Sequence, residues 1–402
     1  MLSWKRSRKV LLCVSGGIAA YKIPDLVSRL RKLDCEVEII LTKTAETLVS
    51  PLALSTLSKR RAWLQDDFFA NSKGFEIPHI RLSEWADVLV VAPCSANTAF
   101  GLANGRTASI VEAAFLAATA PVVVFPAMNV HMFENPATRQ NLKTLAVRGV
   151  RVVDPEFGAL ACGYEGKGRL PETSLILEEI FLALSPKRDL TGKHVLVTAG
   201  PTWEYIDPVR FISNPSSGKM GLAMARTAWY RGADVRLILG PTSLDASLHG
   251  IEVQNVVSAV EMRDRVMANL DWADFIVKAA AVGDYRADKV SGHKLKREGK
   301  ETLSLDLVQN PDIAAEVGAA KSPGQFLIGF AAETNDIIEN ARSKMERKGL
   351  DMILANDVSS SEGGFACDNN TVRLISKTGE AVFSGGKEEV ADAVWGYLAE
   401  HR

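Results

Sequence analysis

The sequence predicts two α/β domains in succession, each a parallel sheet covered by helices on both faces. Three observations carry this. Short apolar runs alternate with amphipathic stretches along the whole chain, the pattern of strand–helix–strand crossovers. The alternation restarts after Ser185-Pro186-Lys187-Arg188-Asp189-Leu190-Thr191-Gly192-Lys193, a polar stretch punctuated by Pro and Gly. The two halves open alike, KVLLCVSGG at 9–17 and HVLVTAGPT at 194–202, each a buried first strand running into a glycine-containing loop. A length of 402 residues at 47% apolar content supplies more than one core. Domains are expected over 1–187 and 191–402, and no short period recurs that would make the chain a repeat array.

In the first half, periodicity predicts strands at Val10–Ser15, Glu36–Leu41, Val88–Ala92, Val122–Phe125 and Val150–Val153. Helical patterns lie between them near Tyr21–Leu33, Ala96–Ala103, Ser109–Ala118 and Met132–Arg148. In the second half, a strand at His194–Thr198 precedes a helix at Gly218–Arg231. Strands follow at Asp234–Leu239, Val253–Val256, Phe275–Ala279, Phe326–Phe330, Met352–Leu354 and Val372–Ser376, with a closing helix at Glu388–Glu400. In open sheets of this class ligands bind beyond the carboxyl ends of the strands, so the residues just after each strand are the informative ones.

Composition removes several classes of function. Lys plus Arg number 47 and Asp plus Glu 48, a net charge of −1 that argues against a nucleic-acid surface or a polybasic membrane anchor. No run reaches the roughly 18 apolar residues needed to span a bilayer. The basic start loses its apolar run at Ser15-Gly16-Gly17, which suits a first strand better than an export signal. Five cysteines without a CxxC pair make no disulfide framework, so a reducing, cytoplasmic location is expected.

Ser15, Gly16 and Gly17 follow the first strand and lead into a helix. Glycines let backbone amides approach an anion, and a helix N-terminus favours negative charge. Thr42 and Thr44, after the second strand, could add hydroxyls to the same phosphate. Ser95 and Asn97 follow the third strand and either cap the next helix or line a flat cofactor. Met128 and Asn129 follow the strand at Val122–Phe125, and Asn129 read alone is a helix cap. His79, read alone, is a structural hydrogen-bonder. Cys162 sits in a glycine-rich loop beside Lys167 and Arg169, whose charges could lower its pKa.

Gly16-Gly17-Ile18-Ala19, the PHI around His79, PCSANT at 93–98, PAMN at 126–129 and ACGYEGKGR at 161–169 occur in the order seen in flavin-containing cysteine decarboxylases. The first half resembles phosphopantothenoylcysteine decarboxylase. The resemblance implies a flavodoxin-like fold with FMN bound between subunits of a trimer. It implies Ser15, Gly16, Gly17, Thr42, Ser95, Asn97 and Met128 as cofactor-binding residues. It also implies that Asn129 holds the substrate carboxylate, Cys162 supplies the final proton, and His79 acts in, or orients, the oxidation step. The flavin carries the electron traffic. The stretch Phe100–Ile110 departs from the family pattern, with Ala108 at the usual acidic position and Ser109 following.

The second half has its own set of loops after strands. They are SNPSSGKMG at 213–221, AAAVGDYR at 279–286, KLKR at 294–297, Asn310-Pro311-Asp312-Ile313 and GFAAET at 329–334. Lys344 and Lys348 stand four apart on the next helical stretch, hence on one face. Singly these are caps and surface charges. As a set they resemble phosphopantothenate–cysteine ligase in its CTP-using bacterial form. The resemblance implies a Rossmann-like ligase domain that binds CTP through Asp284, Lys294, Asn310, Pro311, Asp312, Ile313, Phe330, Lys344 and Lys348. Asn214 would handle the acyl-cytidylate, and Mg2+ would accompany CTP with metal ligands unassigned. Gly283 stands where that motif usually has alanine.

The two resemblances together imply a bifunctional enzyme of coenzyme A synthesis. The second half would join L-cysteine to 4′-phosphopantothenate through an acyl-cytidylate, releasing pyrophosphate and CMP. The first half would decarboxylate the product to 4′-phosphopantetheine. They imply trimeric flavin domains and dimeric ligase domains closing into a dodecamer. The alternative is a CTP-dependent ligase whose flavin domain is inactive and serves regulation or assembly, suggested by the Phe100–Ile110 departure. A nicotinamide dehydrogenase is disfavoured because neither first loop is GxGxxG.

Overall fold

Residues 10–14 and 88–92 are unbroken runs of fully buried side chains, as strands covered on both faces require. They lie at the centre of the first sheet in a computed structural model that describes residues 8–69, 77–159, 163–185, 187–244, 250–296, 302–333, 337–357 and 369–401. Contacts divide the chain into two compact units, one ending at residue 186 and the other beginning at Lys187.

In the first unit, β1 (Arg8–Val14), β2 (Cys35–Leu41), β3 (Ala62–Trp63), β4 (Val88–Cys94), β5 (Val122–Pro126) and β6 (Arg151–Val152) form one parallel sheet in the order β3-β2-β1-β4-β5-β6. Without the two-residue edge strand β3, the order is 2-1-3-4-5, the flavodoxin-like arrangement, whose switch point lies between β1 and β4. The helices are α1 (Ile23–Lys32), α2 (Ala45–Leu48), α3 (Pro51–Ser58), α4 (Pro78–Trp85), α5 (Ala96–Ala103), α6 (Ile110–Ala117), α7 (Val130–Glu134), α8 (Pro136–Val147) and α9 (Thr173–Leu184). Leu11 and Cys13 face a core built with α4, α5, α6 and α8, and α1 and α9 cover the opposite face. A hairpin of β7 (Glu156–Ala159) and β8 (Glu165–Arg169) stands apart from the sheet. The single helix expected over Met132–Arg148 is two, because Asn135 caps a new start at Pro136, accepting from the Ala137 amide at 3.0 Å.

In the second unit the main sheet uses β9 (His194–Ala199), β12 (Asp234–Leu239), β13 (Ile251–Asn255), β14 (Phe275–Lys278), β17 (Phe326–Glu333), β18 (Met352–Asp357), β19 (Asn369–Ser376) and β20 (Glu380–Gly386). Its order is β13-β12-β9-β14-β17-β18-β19-β20. The first six strands are parallel in the 3-2-1-4-5-6 order of a Rossmann sheet, with the switch point between β9 and β14. The expectation of a parallel sheet throughout fails at the end, where β19 and β20 run antiparallel. Their connection is the short turn at residues 377–379, which only an antiparallel pair can use. Helices α11 (Ala259–Ala268), α12 (Ile313–Ala320) and α13 (Ile337–Arg347) cover one face, and α10 (Lys219–Tyr230) and α14 (Lys387–His401) the other. Two short ribbons, β10 (Glu204–Tyr205) with β11 (Phe211–Ile212) and β15 (Tyr285–Ala287) with β16 (Leu307–Gln309), grow from the loops beyond the strand ends. Among the described residues, no helix is long and apolar enough to cross a membrane.

Candidate functional site

A cavity of about 360 Å³ opens beyond the carboxyl ends of β1, β4 and β5. Gly16, Gly17, Ser95, Met128 and Asn129 line it together with Lys22, Met132, Ala159 and Gly168–Leu170. A Cβ at Gly16 would come within 2.5 Å of the Thr44 Cβ, so the loop needs glycine where it passes Thr44. A Cβ at Gly17 would meet nothing nearer than 3.8 Å, so this stretch of backbone stands open to a ligand. The floor is made by the β7–β8 hairpin. The Gly168 carbonyl accepts from the Met128 amide at 3.0 Å, and a Cβ at Gly168 would collide with the Met128 carbonyl oxygen. Bare glycine backbone, alanine and methionine walls and the Lys22 stem fit the phosphate and flat ring system of a flavin.

Of the residues named for this site, Ser15, Thr42, Asn97 and His79 do not line the cavity. Ser15 is fully buried, and its hydroxyl donates to the Pro93 carbonyl at 2.7 Å and accepts from the Ser95 amide at 2.8 Å, tying the end of β1 to the end of β4. Ser95 caps α5 through the Thr98 amide. Asn97 is exposed and faces Arg106 at 3.4 Å. Thr42 accepts from the Ala45 amide at 3.4 Å. Asn129 caps α7 through the His131 amide at 2.9 Å while lining the cavity, so cap and site coexist. His79 is on α4 and does not line this cavity. Its ring meets the edge of Phe68 at 5.2 Å, its Nδ1 is buried without a hydrogen-bond partner among the described residues, and burial holds its pKa below the ordinary histidine value. Cys162 lies outside the described residues. The cations expected to lower its pKa are already paired, Lys167 with Asp154 and Arg169 with Glu172. The atypical Phe100–Ile110 stretch is closed by Glu112, which takes Arg106 at 2.6 Å and the Ala108 amide at 2.9 Å.

In the second unit, a cavity of about 220 Å³ gathers Asp284, Asn310, Pro311, Asp312, Ile313, Phe330, Lys344 and Lys348. These come from the loop after β14, the turn before α12, β17 and the α13 segment, far apart in sequence. Asn310 is the brace: its amide nitrogen donates to the Gly283 carbonyl at 2.8 Å, and its backbone amide donates to the Asp284 carbonyl at 2.8 Å. Asp312 caps α12 and receives Lys348 Nζ at 2.9 Å. Burial works to raise the Asp312 pKa, but Lys348 and the Ala315 amide outweigh it and hold it low. Lys294 is exposed and does not line this cavity. Asn214 stands one contact away, its amide donating to the carbonyl of the lining residue Val282 at 3.0 Å.

Sequence reasoning missed Lys278, which also lines the cavity. It is 9% exposed, its Nζ has no hydrogen-bond partner among the described residues, and burial pushes its pKa down to about 7. A lysine ending the apolar run Phe275-Ile276-Val277 was the available signal.

Two doubly wound units, each with a cavity at its switch point, define a two-domain α/β protein built to bind small ligands. The family model described as Flavoprotein matches residues 2–185, and that described as DNA/pantothenate metabolism flavoprotein C-terminal domain matches residues 190–401. The chain is 45% identical over 375 residues to the coenzyme A biosynthesis bifunctional protein CoaBC of Bacillus subtilis (strain 168), covering 93% of this chain and 91% of that protein. It is 40% identical over 385 residues to the protein of the same name from Escherichia coli (strain K12), covering 95% and 94%. A solved C-terminal domain of a coenzyme A biosynthesis bifunctional protein CoaBC aligns at TM-score 0.45 and 37% identity, over 53% of this chain and 97% of that one. The chain belongs to the CoaBC family of bifunctional coenzyme A biosynthesis enzymes, which combine decarboxylase and ligase activities. Because the likeness runs through both halves, a ligase with an idle flavin domain is not favoured.

Proposed function

We propose that the first cavity binds FMN and is the site of 4′-phospho-N-pantothenoylcysteine decarboxylation, and that the second binds CTP for ligation of L-cysteine to 4′-phosphopantothenate. The supporting observation is the convergence of Asp284, Asn310–Ile313, Phe330, Lys344 and Lys348 on one cavity from separate segments.

In the ligase half the problem is that a carboxylate is a poor acyl donor. Attack of the pantothenate carboxylate on the α-phosphorus of CTP expels pyrophosphate and gives an acyl-cytidylate. The cysteine amine then attacks the acyl carbon and expels CMP. Lys344 and Lys348 balance the triphosphate charge, with Mg2+ entering as the CTP complex. Asp312 aims Lys348. Asn214, held on the Val282 carbonyl, would handle the acyl-cytidylate.

In the decarboxylase half, Gly16 and Gly17 would present backbone to the flavin phosphate and Met128 would wall the ring. When bound, FMN supplies the two-electron acceptor and donor that the decarboxylation needs. Asn129 would hold the substrate carboxylate, and Cys162 would supply the proton when the enethiol left after CO2 departs takes back the hydride equivalent. His79 serves the cavity of a neighbouring subunit, which is the reason for proposing a trimer of flavin domains. Dimeric ligase domains would then close a dodecamer.

The test is an assay of the whole chain with 4′-phosphopantothenate, L-cysteine, CTP and Mg2+, following CMP and CO2 separately. Yellow protein releasing both is expected. ATP replacing CTP without loss, or CMP without CO2, would refute one half of the reading.

A further inference from the structure

Lys278 is the last residue of β14, paired in register with Thr198 on β9 and Gly329 on β17, beside the switch point of the sheet. Strand alternation puts it on the face of Ile276, which packs in the core with α11, α12 and α13. At that position an aliphatic side chain would complete the core, yet a lysine ends the strand and reaches the cavity. The charged groups that share the cavity with it are Asp312 before α12, Lys344 on α13, Lys348 after α13, and Asp284 in the loop after its own strand. Asp312 is taken by Lys348, at 2.9 and 3.1 Å from its two oxygens. Among the described residues, Lys278 Nζ has no hydrogen-bond partner. A buried ammonium without an acceptor is costly. Burial lowers its pKa to about 7, Asp312 opposes that, and Lys348 adds to it.

We infer that Lys278 is a phosphate-binding residue of the ligase cavity, its Nζ taking a nonbridging oxygen of the CTP triphosphate. This rests on the proposed reading of the cavity as the nucleotide site. With burial lowering its pKa, this lysine holds its proton less firmly in the empty cavity than an exposed lysine does. An arriving phosphate favours the ammonium, so nucleotide binding draws a proton from solvent onto Nζ.

Calorimetric titration of the full-length protein with CTP and Mg2+ at pH 7.5, in Tris and in HEPES, reads affinity and proton uptake together. Wild type should take up protons. Lys278→Met should bind CTP at least tenfold more weakly and lose that uptake, and Lys278→Gln, which keeps a donor without a charge, should do the same. Because the substitution removes an uncompensated buried amine, ligand-free Lys278→Met should melt no lower than wild type, which separates lost binding from lost folding. Unchanged affinity and uptake in both variants would overturn the inference while leaving the nucleotide reading intact. A wild type that binds no CTP would take down both. 4′-Phosphopantothenate also carries phosphate and is titrated in parallel. An effect confined to that ligand would overturn the assignment to the triphosphate.

Discussion

Two glycines in the two sites answer to opposite constraints. Gly168 leaves no room, since a Cβ there would run into the Met128 carbonyl oxygen across the hydrogen bond that holds the hairpin under the first cavity. Gly168→Ala should cost about 1–3 kcal/mol and lower the flavin content of purified protein, read from thermal unfolding and visible absorbance. Gly283 has room, since a Cβ would meet nothing closer than 3.5 Å. Gly283→Ala should leave ligation unchanged and raise stability by about 0.4–1 kcal/mol through the unfolded chain. A drop in melting temperature would refute this. Position along the sequence was legible at this scale, but side-chain direction was not. Ser15 and Asn97 stand in the expected loops, yet Ser15 turns inward to Pro93 and Ser95, and Asn97 turns to Arg106. Lys278 was hidden because an apolar run reads as core regardless of how it ends.

At the scale of elements, the basic loop after β15 is fastened by one carboxylate. Asp207 is fully buried and accepts from the backbone amides of Val209 and Arg210 at 2.8 Å, from the Leu295 amide at 3.1 Å, and from Arg210 Nε at 2.9 Å. The Arg210 guanidinium also reaches the Leu295 carbonyl. Leu295 is flanked by Lys294 and Lys296, so Asp207 sets where those cations stand. Burial works to raise its pKa, but the Val209, Leu295 and Arg210 amides and the Arg210 side chain outweigh it and hold the carboxyl well below the usual range. A depressed folded pKa stabilises above the unfolded value near 4 and is lost as pH falls below it. Asp207→Asn should therefore be destabilised most at pH 7, with the gap to wild type closing below about pH 4, as seen in urea titrations across that range. Elements themselves were legible where apolar periodicity was strong. The helix bearing His79 was not, because eight residues opening on Pro78 carry too little period. Nor was the sense of β19 and β20, because orientation is set by the turn between strands rather than by their composition.

At the scale of the whole molecule, each cavity is built from residues of one compact unit. That division makes the two chemistries separable within one chain. Cys162→Ser would remove the proton donor proposed for the first half without touching the second half. It should keep its yellow colour, form CMP at the wild-type rate and release CO2, yet stall at an oxidised enethiol instead of yielding 4′-phosphopantetheine. Asn214→Asp would put a negative charge at the residue proposed to handle the acyl-cytidylate, where the substrate carboxylate and the phosphates of CTP would be repelled. It should lose CMP formation by tenfold or more and still decarboxylate supplied 4′-phospho-N-pantothenoylcysteine normally. Mixing the two variants adds a sharper condition. Ligation survives in Cys162→Ser and decarboxylation in Asn214→Asp, so the mixture should make 4′-phosphopantetheine from 4′-phosphopantothenate if the intermediate is released to solvent. Formation of CMP without 4′-phosphopantetheine in that mixture, with each variant active in its own half, would mean that the intermediate passes between sites without leaving the assembly.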